Sequence, residues 1–179
     1  MLRKIALGLS VLVLALFIAG IAGYVITGPQ APAADSVSAQ WLKPGPYMTA
    51  SSDKVFVDSS RGTAANRDYS GAADRTLATT LWYPLDSEES HPLVIHSHGF
   101  TSARNDLSYV AELLASHGYV VAAADYPLTH GGAPGKPNAV DVVNQPADVS
   151  FLIDSVSALS GPEKPFSGSI DASRIGLMG

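Results

Sequence analysis

His96 and His98 stand two residues apart at the end of the apolar run Leu93-Val94-Ile95, and Gly99-Phe100-Thr101 follows at once. On a strand, residues two apart share a face, so the two imidazoles are spaced to act as paired metal ligands. A metallo-β-lactamase-like hydrolase would continue His-x-His-x-Asp-His, whereas Phe100 and Thr101 fill the last two places here. The same residues also suit a different chemistry. A strand that ends in a Gly-containing turn ahead of a helix presents backbone N–H groups to a ligand or to a developing negative charge. On that reading His98 buttresses the turn by hydrogen bonding and His96 is a satisfied core histidine. Asp125, at the end of a second apolar run, is expected to order the loop beginning at Pro127, and His130 to be an exposed polar loop residue.

These residues need strands and helices to hold them. Thr76 to Tyr83 alternates, with Leu77, Thr79, Leu81 and Tyr83 on one face, and Pro84 stops it. Leu93 to Ser97 and Tyr119 to Ala124 are apolar on both faces, which predicts parallel strands covered on both sides. Between them, Asn105 or Asp106 is placed to cap a helix with Leu107, Val110, Leu113 and Leu114 on one face, and Gly118 suits the left-handed position just past its end. The pair then forms a right-handed βαβ unit, with its ligand-binding edge at the carboxyl ends of the strands. Lys54 to Val57 predicts a short first strand. A further helix begins near Pro146, with Val149, Leu152, Ile153, Val156 and Leu159 at helical spacing. A loop is expected at 161–168, and Ile175 to Gly179 reads as the start of one more buried strand.

The 179 residues carry a net charge of -5 and no cysteine. That excludes thiolate catalysis, Cys-based zinc sites and disulfides, and it offers no basic surface for nucleic acid. Arg3 and Lys4 precede an uncharged stretch at 5–26, long enough to cross a hydrocarbon core of about 30 Å. The region 1–26 is therefore expected to be a signal peptide or a transmembrane anchor, with the rest exported: membrane-anchored facing outward, or periplasmic or secreted if the leader is cleaved. The stretch 27–50, rich in Pro, Ala, Ser and Gly, reads as a flexible linker to one domain at 51–179.

The fragments Leu81-Trp82-Tyr83-Pro84, Ser97-His98-Gly99-Phe100-Thr101, His117-Gly118-Tyr119-Val120-Val121, Asp125-Tyr126-Pro127, Asn144-Gln145-Pro146-Ala147-Asp148-Val149 and Asp171-Ala172-Ser173-Arg174-Ile175-Gly176 occur in that order. In this order they resemble the N-terminal half of an α/β-hydrolase. The resemblance is to the dienelactone hydrolase-like branch, which includes relatives of platelet-activating-factor acetylhydrolase and cutinase-like polyesterases. It implies an α/β fold with a mostly parallel sheet and helices on both faces.

By resemblance, the Phe100 backbone N–H is half of an oxyanion hole, His98, Gly99 and Thr101 support the turn and substrate pocket, and Gly179 opens the nucleophile elbow Gly-x-Ser-x-Gly. No such motif occurs in the sequence. The serine, the acid and the histidine of a cofactor-free triad would all lie after Gly179. The expected function is then carboxylic ester hydrolysis when the protein is complete, with small-molecule, lipid or polymer esters as substrates and residues 1–179 alone inactive. The alternatives are a metal-dependent hydrolase using His96 and His98, and a non-catalytic, membrane-tethered binding domain of the same fold.

Overall fold

Alternating and continuous apolar runs make the strands of this protein, and one buried arginine ties the helix at 145–157 and the turn before it to the sheet. A computed structural model describes residues 2–28, 30–159 and 164–179. The chain divides into two compact units, Met1–Leu42 and Lys43–Gly179.

The first unit contains α1 (Leu2–Thr27) and the short α2 (Val37–Trp41). The stretch Ser10–Thr27 is long and apolar enough to cross a membrane, and none of it is buried in the protein. At α1's C-terminal end, the Gln30 side chain donates to the Val25 and Gly28 carbonyls at 3.4 and 3.0 Å. These contacts satisfy acceptors that a helix end otherwise leaves open.

The second unit is built on β1 (Thr49–Asp58), β2 (Arg75–Pro84), β3 (Ser90–His96), α3 (Ser108–Ser116), β4 (Val120–Asp125), α4 (Gln145–Ser157) and β5 (Ser169–Met178), with a 3₁₀ turn at Ala139–Asn144 before α4. The sheet order is β1-β2-β4-β3-β5. β3 pairs in parallel with β4 and β5, while β2 is antiparallel to both β1 and β4, so only β2 runs against the others. The mostly parallel sheet with helices on both faces expected from the sequence is present.

Two cores result, one on each face of the sheet. Leu77, Leu81, Leu93, Ile95, Val120, Ala122 and Ala124 pack with Leu152 and Val156 of α4, flanked by Val149, Ile153 and Leu159. Trp82, Val121 and Ala123 pack with Ala111 and Ala115 of α3 on the other face. Each large aliphatic side chain so buried contributes about 1.5–3 kcal/mol.

Several expectations differ in detail. Asp106 does not cap α3: its carboxylate binds Ser102 Oγ and Ala103 N (3.0 Å) in the preceding turn, and Leu107 occupies the cap position with no side-chain bond. The buried face of α3 centres on Ala111 and Ala115 rather than on Leu107, Val110 and Leu113, because alanine lets the helix lie close on the sheet. β1 extends beyond 54–57 because its polar first half is held by β2. The stretch 27–50 carries α2 and the start of β1. From Lys43 it is stitched to the end of α3, with His117 Nε2 3.0 Å from Lys43 O, Gly45 N donating to Ser116 Oγ at 2.8 Å and Tyr47 N donating to Ser116 O at 3.1 Å. β5 begins at Ser169, with Ala172 to Arg174 forming a bulge between the pairs Pro92–Asp171 and Leu93–Ile175. Part of the 161–168 loop lies outside the described residues. Gly118 does adopt a left-handed φ of 93°.

The sequence reading has no counterpart for Arg75. Its side chain is 1% exposed and is shared between two carboxylates: Nε and Nη2 reach Asp148 at 2.7 and 2.6 Å, and Nη1 and Nη2 reach Asp141 at 3.2 and 3.0 Å. Arg61 adds a second cation, 2.9 Å from Asp148 and 2.7 Å from Asp58. Burial opposes the Arg75 charge, but the bonds to Asp148 and Asp141 outweigh it and raise its pKa above the ordinary arginine value. Removing one partner from such a network leaves buried charge uncompensated, at a cost of about 3–5 kcal/mol. Arg75→Ala is therefore expected to lower the unfolding free energy by about that amount in a urea titration followed by Trp82 fluorescence, whereas Arg174→Ala on the exposed bulge should change it by less than about 1 kcal/mol.

Candidate active site

Three loops meet at the carboxyl ends of β3, β4 and β5. β3 and β5 run in register to their ends, where Ser97 N donates to Met178 O at 2.8 Å. Gly179 thus lies beside Ser97, and a Cβ added to it would sit 3.2 Å from Ser97 O. The turn Gly99–Ser102 follows, closed by Ser102 N donating to Gly99 O at 3.1 Å. Thr101 takes a left-handed φ of 67° at the third position of this turn, the pattern of a type II turn. The structure therefore gathers His98, Gly99, Phe100, Thr101 and Gly179 at one sheet edge.

His98 is the bolt of this arrangement. It is 3% exposed, and its Nε2 lies 3.2 Å from Tyr126 N while its Nδ1 lies 2.8 Å from Gly99 O. A backbone N–H only donates, so Nε2 accepts, and the neutral ring carries its proton on Nδ1 and donates it to Gly99 O. One imidazole thereby ties the turn after β3 to the first residue after β4. Tyr126, fully buried, packs against His98 at a ring separation of 4.9 Å and donates its hydroxyl to Ser97 Oγ at 2.9 Å.

The loop after β4 clasps the turn from outside. Thr101 N donates to Thr129 O and Gly131 N to Ser102 O, both at 2.9 Å. A side chain at Gly131 would place Cβ 2.8 Å from Thr101 O, so the approach requires glycine. Thr129 Oγ1 in turn accepts from Gln145 Nε2 at 2.8 Å, and Asn66 Nδ2 donates to Pro134 O and Lys136 O at 2.8 and 2.7 Å. Thr129 and Asn66 were not singled out in the sequence, and Gln145 only as part of the fragment Asn144-Gln145-Pro146-Ala147-Asp148-Val149. The polar cluster Thr129-His130-Gly131-Gly132 was the nearest signal, since such loops carry side-chain and backbone bonds together.

Within this clasp the Phe100 N–H makes no hydrogen bond among the described residues. Its side chain is 47% exposed, and a Cβ added to Gly99 would meet nothing within 4 Å. A free donor beside open space is a geometry that can receive an anionic oxygen.

The remaining candidates fall elsewhere. Asp125 orders the loop after β3 rather than the one after β4: its carboxylate accepts from Arg104 N at 2.8 Å and pairs with the Arg104 guanidinium. The reason is position, because Pro127 breaks the following chain while Arg104 N–H is at hand. His130 is half-buried rather than exposed, and accepts from Gly132 N at 3.3 Å. Burial lowers its pKa, with Asp125 opposing and His98 and Arg104 adding. His96 is 5% exposed, yet neither ring nitrogen has a hydrogen-bond partner, so it is not the satisfied core histidine expected. It points to the α3 face of a strand whose backbone groups are already paired. Burial lowers its pKa, opposed by Met178 and Asp106 and reinforced by His98. Among the described residues no three His, Cys, Asp or Glu side chains are grouped to hold a metal ion.

Two outcomes are expected. A threonine in the left-handed region costs about 1–2 kcal/mol, partly offset in glycine by chain entropy, so Thr101→Gly should raise the urea midpoint by the equivalent of about 0.5–1 kcal/mol. A base whose folded pKa lies below its unfolded value of about 6.5 gives stability that is complete above that pH and is lost as pH falls from there through the folded pKa. Unfolding titrations between pH 8 and pH 5 should therefore show falling stability, with a shallower fall in His96→Phe and a shallower one still when His130→Gln is added.

Comparison with known proteins bears on the whole arrangement. No curated protein matches the chain. Among solved structures it is similar to a ferulic acid esterase from Streptomyces cinnamoneus, at 24% identity and a TM-score of 0.54, over 72% of this chain and 51% of that one. The chain thus spans about half the length of that esterase, and the likeness shows the fold. The family model described as platelet-activating factor acetylhydrolase, isoform II, matches residues 29–127, more than half of the chain and the part that holds β1 to β4 and the turn at Phe100. With the fold, the strand order and this match in agreement, the chain belongs to the platelet-activating factor acetylhydrolase isoform II family of α/β-hydrolases.

Proposed function

We propose that the complete protein is a serine hydrolase of carboxylic esters in which the Phe100 N–H supplies one oxyanion-hole donor. The single observation that carries this reading is that donor, unpaired beside open space and followed by the bonded N–H groups of Thr101 and Ser102. In ester hydrolysis a serine oxygen attacks the carbonyl carbon and the carbonyl oxygen gains negative charge. An N–H fixed beforehand stabilises that charge without reorganising. Gly179, adjacent to Ser97, is the first glycine of the elbow on this reading. The serine, the acid and the histidine belong to sequence after it, and the second donor to the residue after the serine. Substrates are small-molecule, lipid or polymer esters. The first unit, through 5–26, serves as an export signal or an outward-facing anchor, and 51–179 as the N-terminal part of the hydrolase domain.

A metal-dependent reaction through His96 and His98 has weaker support. The lone pair of His98 Nε2 is taken by Tyr126 N–H and its Nδ1 proton by Gly99 O, which leaves His98 no site for a cation. A non-catalytic binding domain is distinguished by labelling the complete protein with a fluorophosphonate probe, which requires an activated serine.

The test exploits the turn. Proline is favoured at the second position of a type II turn, so Phe100→Pro removes the N–H while retaining the fold, and Phe100→Ala removes only the ring. In the protein expressed with its coding continuation, Phe100→Pro should lower kcat for p-nitrophenyl acetate by about 10²–10³-fold, with Phe100→Ala much milder. Residues 1–179 alone should give no turnover above a mock preparation. Equal activity in Phe100→Pro and Phe100→Ala would remove the oxyanion assignment, and turnover by residues 1–179 would remove the placement of the triad.

A further inference from the structure

Small residues two apart occur in two different settings of the first unit. Gly20-Ile21-Ala22 lies inside α1, and Ala31-Pro32-Ala33 lies just beyond it. After a positive flank and an apolar run, small residues at this spacing are what an export peptidase reads at the bond it cuts. A peptide held for such cutting is extended: its main chain pairs with the enzyme, and residues two apart point the same way.

The helix removes the inner candidate. A step of two residues on α1 is a rotation of about 200°, so Gly20 and Ala22 point to opposite sides, and the backbone there is committed to helical bonds. Both residues also fall within Ser10–Thr27, the part of α1 long and apolar enough to cross a membrane. The outer candidate meets neither obstacle. Residues 30–33 belong to no helix or strand, and Ala31, Pro32 and Ala33 are all exposed. Ala33 O accepts from Ser36 N at 2.8 Å and from Ser36 Oγ at 2.6 Å, so the turn into α2 begins there and marks where the extended stretch stops. Both bonds are local to the turn, and α2 retains its cap, Ser36 Oγ accepting from Ala39 N at 3.1 Å, when they open. Distance agrees with this choice. Ala33 is six residues past Thr27, a reach of at most about 20 Å. With Arg3 and Lys4 kept on the cytoplasmic side, the Ala33–Ala34 bond emerges beside the outer face of the membrane that α1 crosses.

We infer that the Ala33–Ala34 bond is a processing site, cut by a signal-peptidase-type protease at the outer face of the membrane. This rests on the export reading of the first unit. Water adds across the bond: its oxygen joins the Ala33 carbonyl carbon, the bond to Ala34 N breaks, and that nitrogen takes the proton. Ala33 is left as a carboxylate and Ala34 as a new amino terminus. α1 stays behind in the membrane, and the chain from Ala34 onward, with α2 and the second unit, is released to meet esters in the surrounding medium.

The protein expressed with its coding continuation and a C-terminal tag is recovered from the exported fraction of a bacterial host, and its amino terminus is read by N-terminal sequencing and intact mass. The terminus should be Ala34-Asp35-Ser36-Val37. Ala33→Leu, a bulky side chain at an exposed position, should leave the chain uncut and resistant to carbonate extraction from membranes, whereas Ala22→Leu inside α1 should be cut as before. Digestion of intact spheroplasts by added protease tests export separately. A chain protected from that protease and never cut overturns the export reading and the processing site together. A chain that is exported but uncut, cut at another bond, or cut at Ala33–Ala34 equally well in Ala33→Leu overturns the processing site alone.

Discussion

The guanidinium of Arg75 is the constraint on which the second unit turns. It sits at the first residue of β2, fully inside the protein, and its donors are divided between Asp148 in the first turn of α4 and Asp141 in the 3₁₀ turn before it. Against a well-packed apolar substitute such a network adds little net stability. Its effect is on placement: the two carboxylates can be buried only where the arginine is, so α4 and the chain leading to it have one position on the sheet. The carboxylate of Asp148 near the amino end of α4 is also favoured by the helix dipole.

That fixed position is transmitted to the candidate site. Gln145, the first residue of α4, holds Thr129, and Thr129 O holds Thr101 N. From the other side, His98 joins Gly99 to Tyr126. The turn at 99–102 is therefore tied both to its own strand and to the loop after β4, and the left-handed Thr101 persists because these bonds over-determine it.

Legibility in the sequence followed the range of the interactions. Continuous apolar runs identified β3 and β4, alternation identified β2, and the α4 stripe from Val149 to Val156 was read correctly, because each depends on neighbours within a few residues. Arg75 and Asp148 are 73 positions apart, and nothing local marks them as partners. The register of α3 was missed for a related reason: Ala111 and Ala115 carry a weak hydrophobic signal, yet smallness is what the close sheet contact requires. For the site, the strand-ending turn at Gly99 was legible from residue types. The unpaired nitrogens of His96 and the half-burial of His130 were not, since both depend on which loops close over them.

The Phe100 N–H gains its meaning from what surrounds it. Thr101 N and Ser102 N have carbonyl acceptors, and Ala103 N and Arg104 N have carboxylates. A turn left to itself would trade these partners with water and with Phe100. Here each is committed, three of them to residues outside the turn, so the backbone cannot rotate to satisfy Phe100 without breaking bonds to Thr129 or Asp125. A donor that stays unpaired while the N–H groups after it are engaged is held in place in advance, by Arg75, His98 and the two loops.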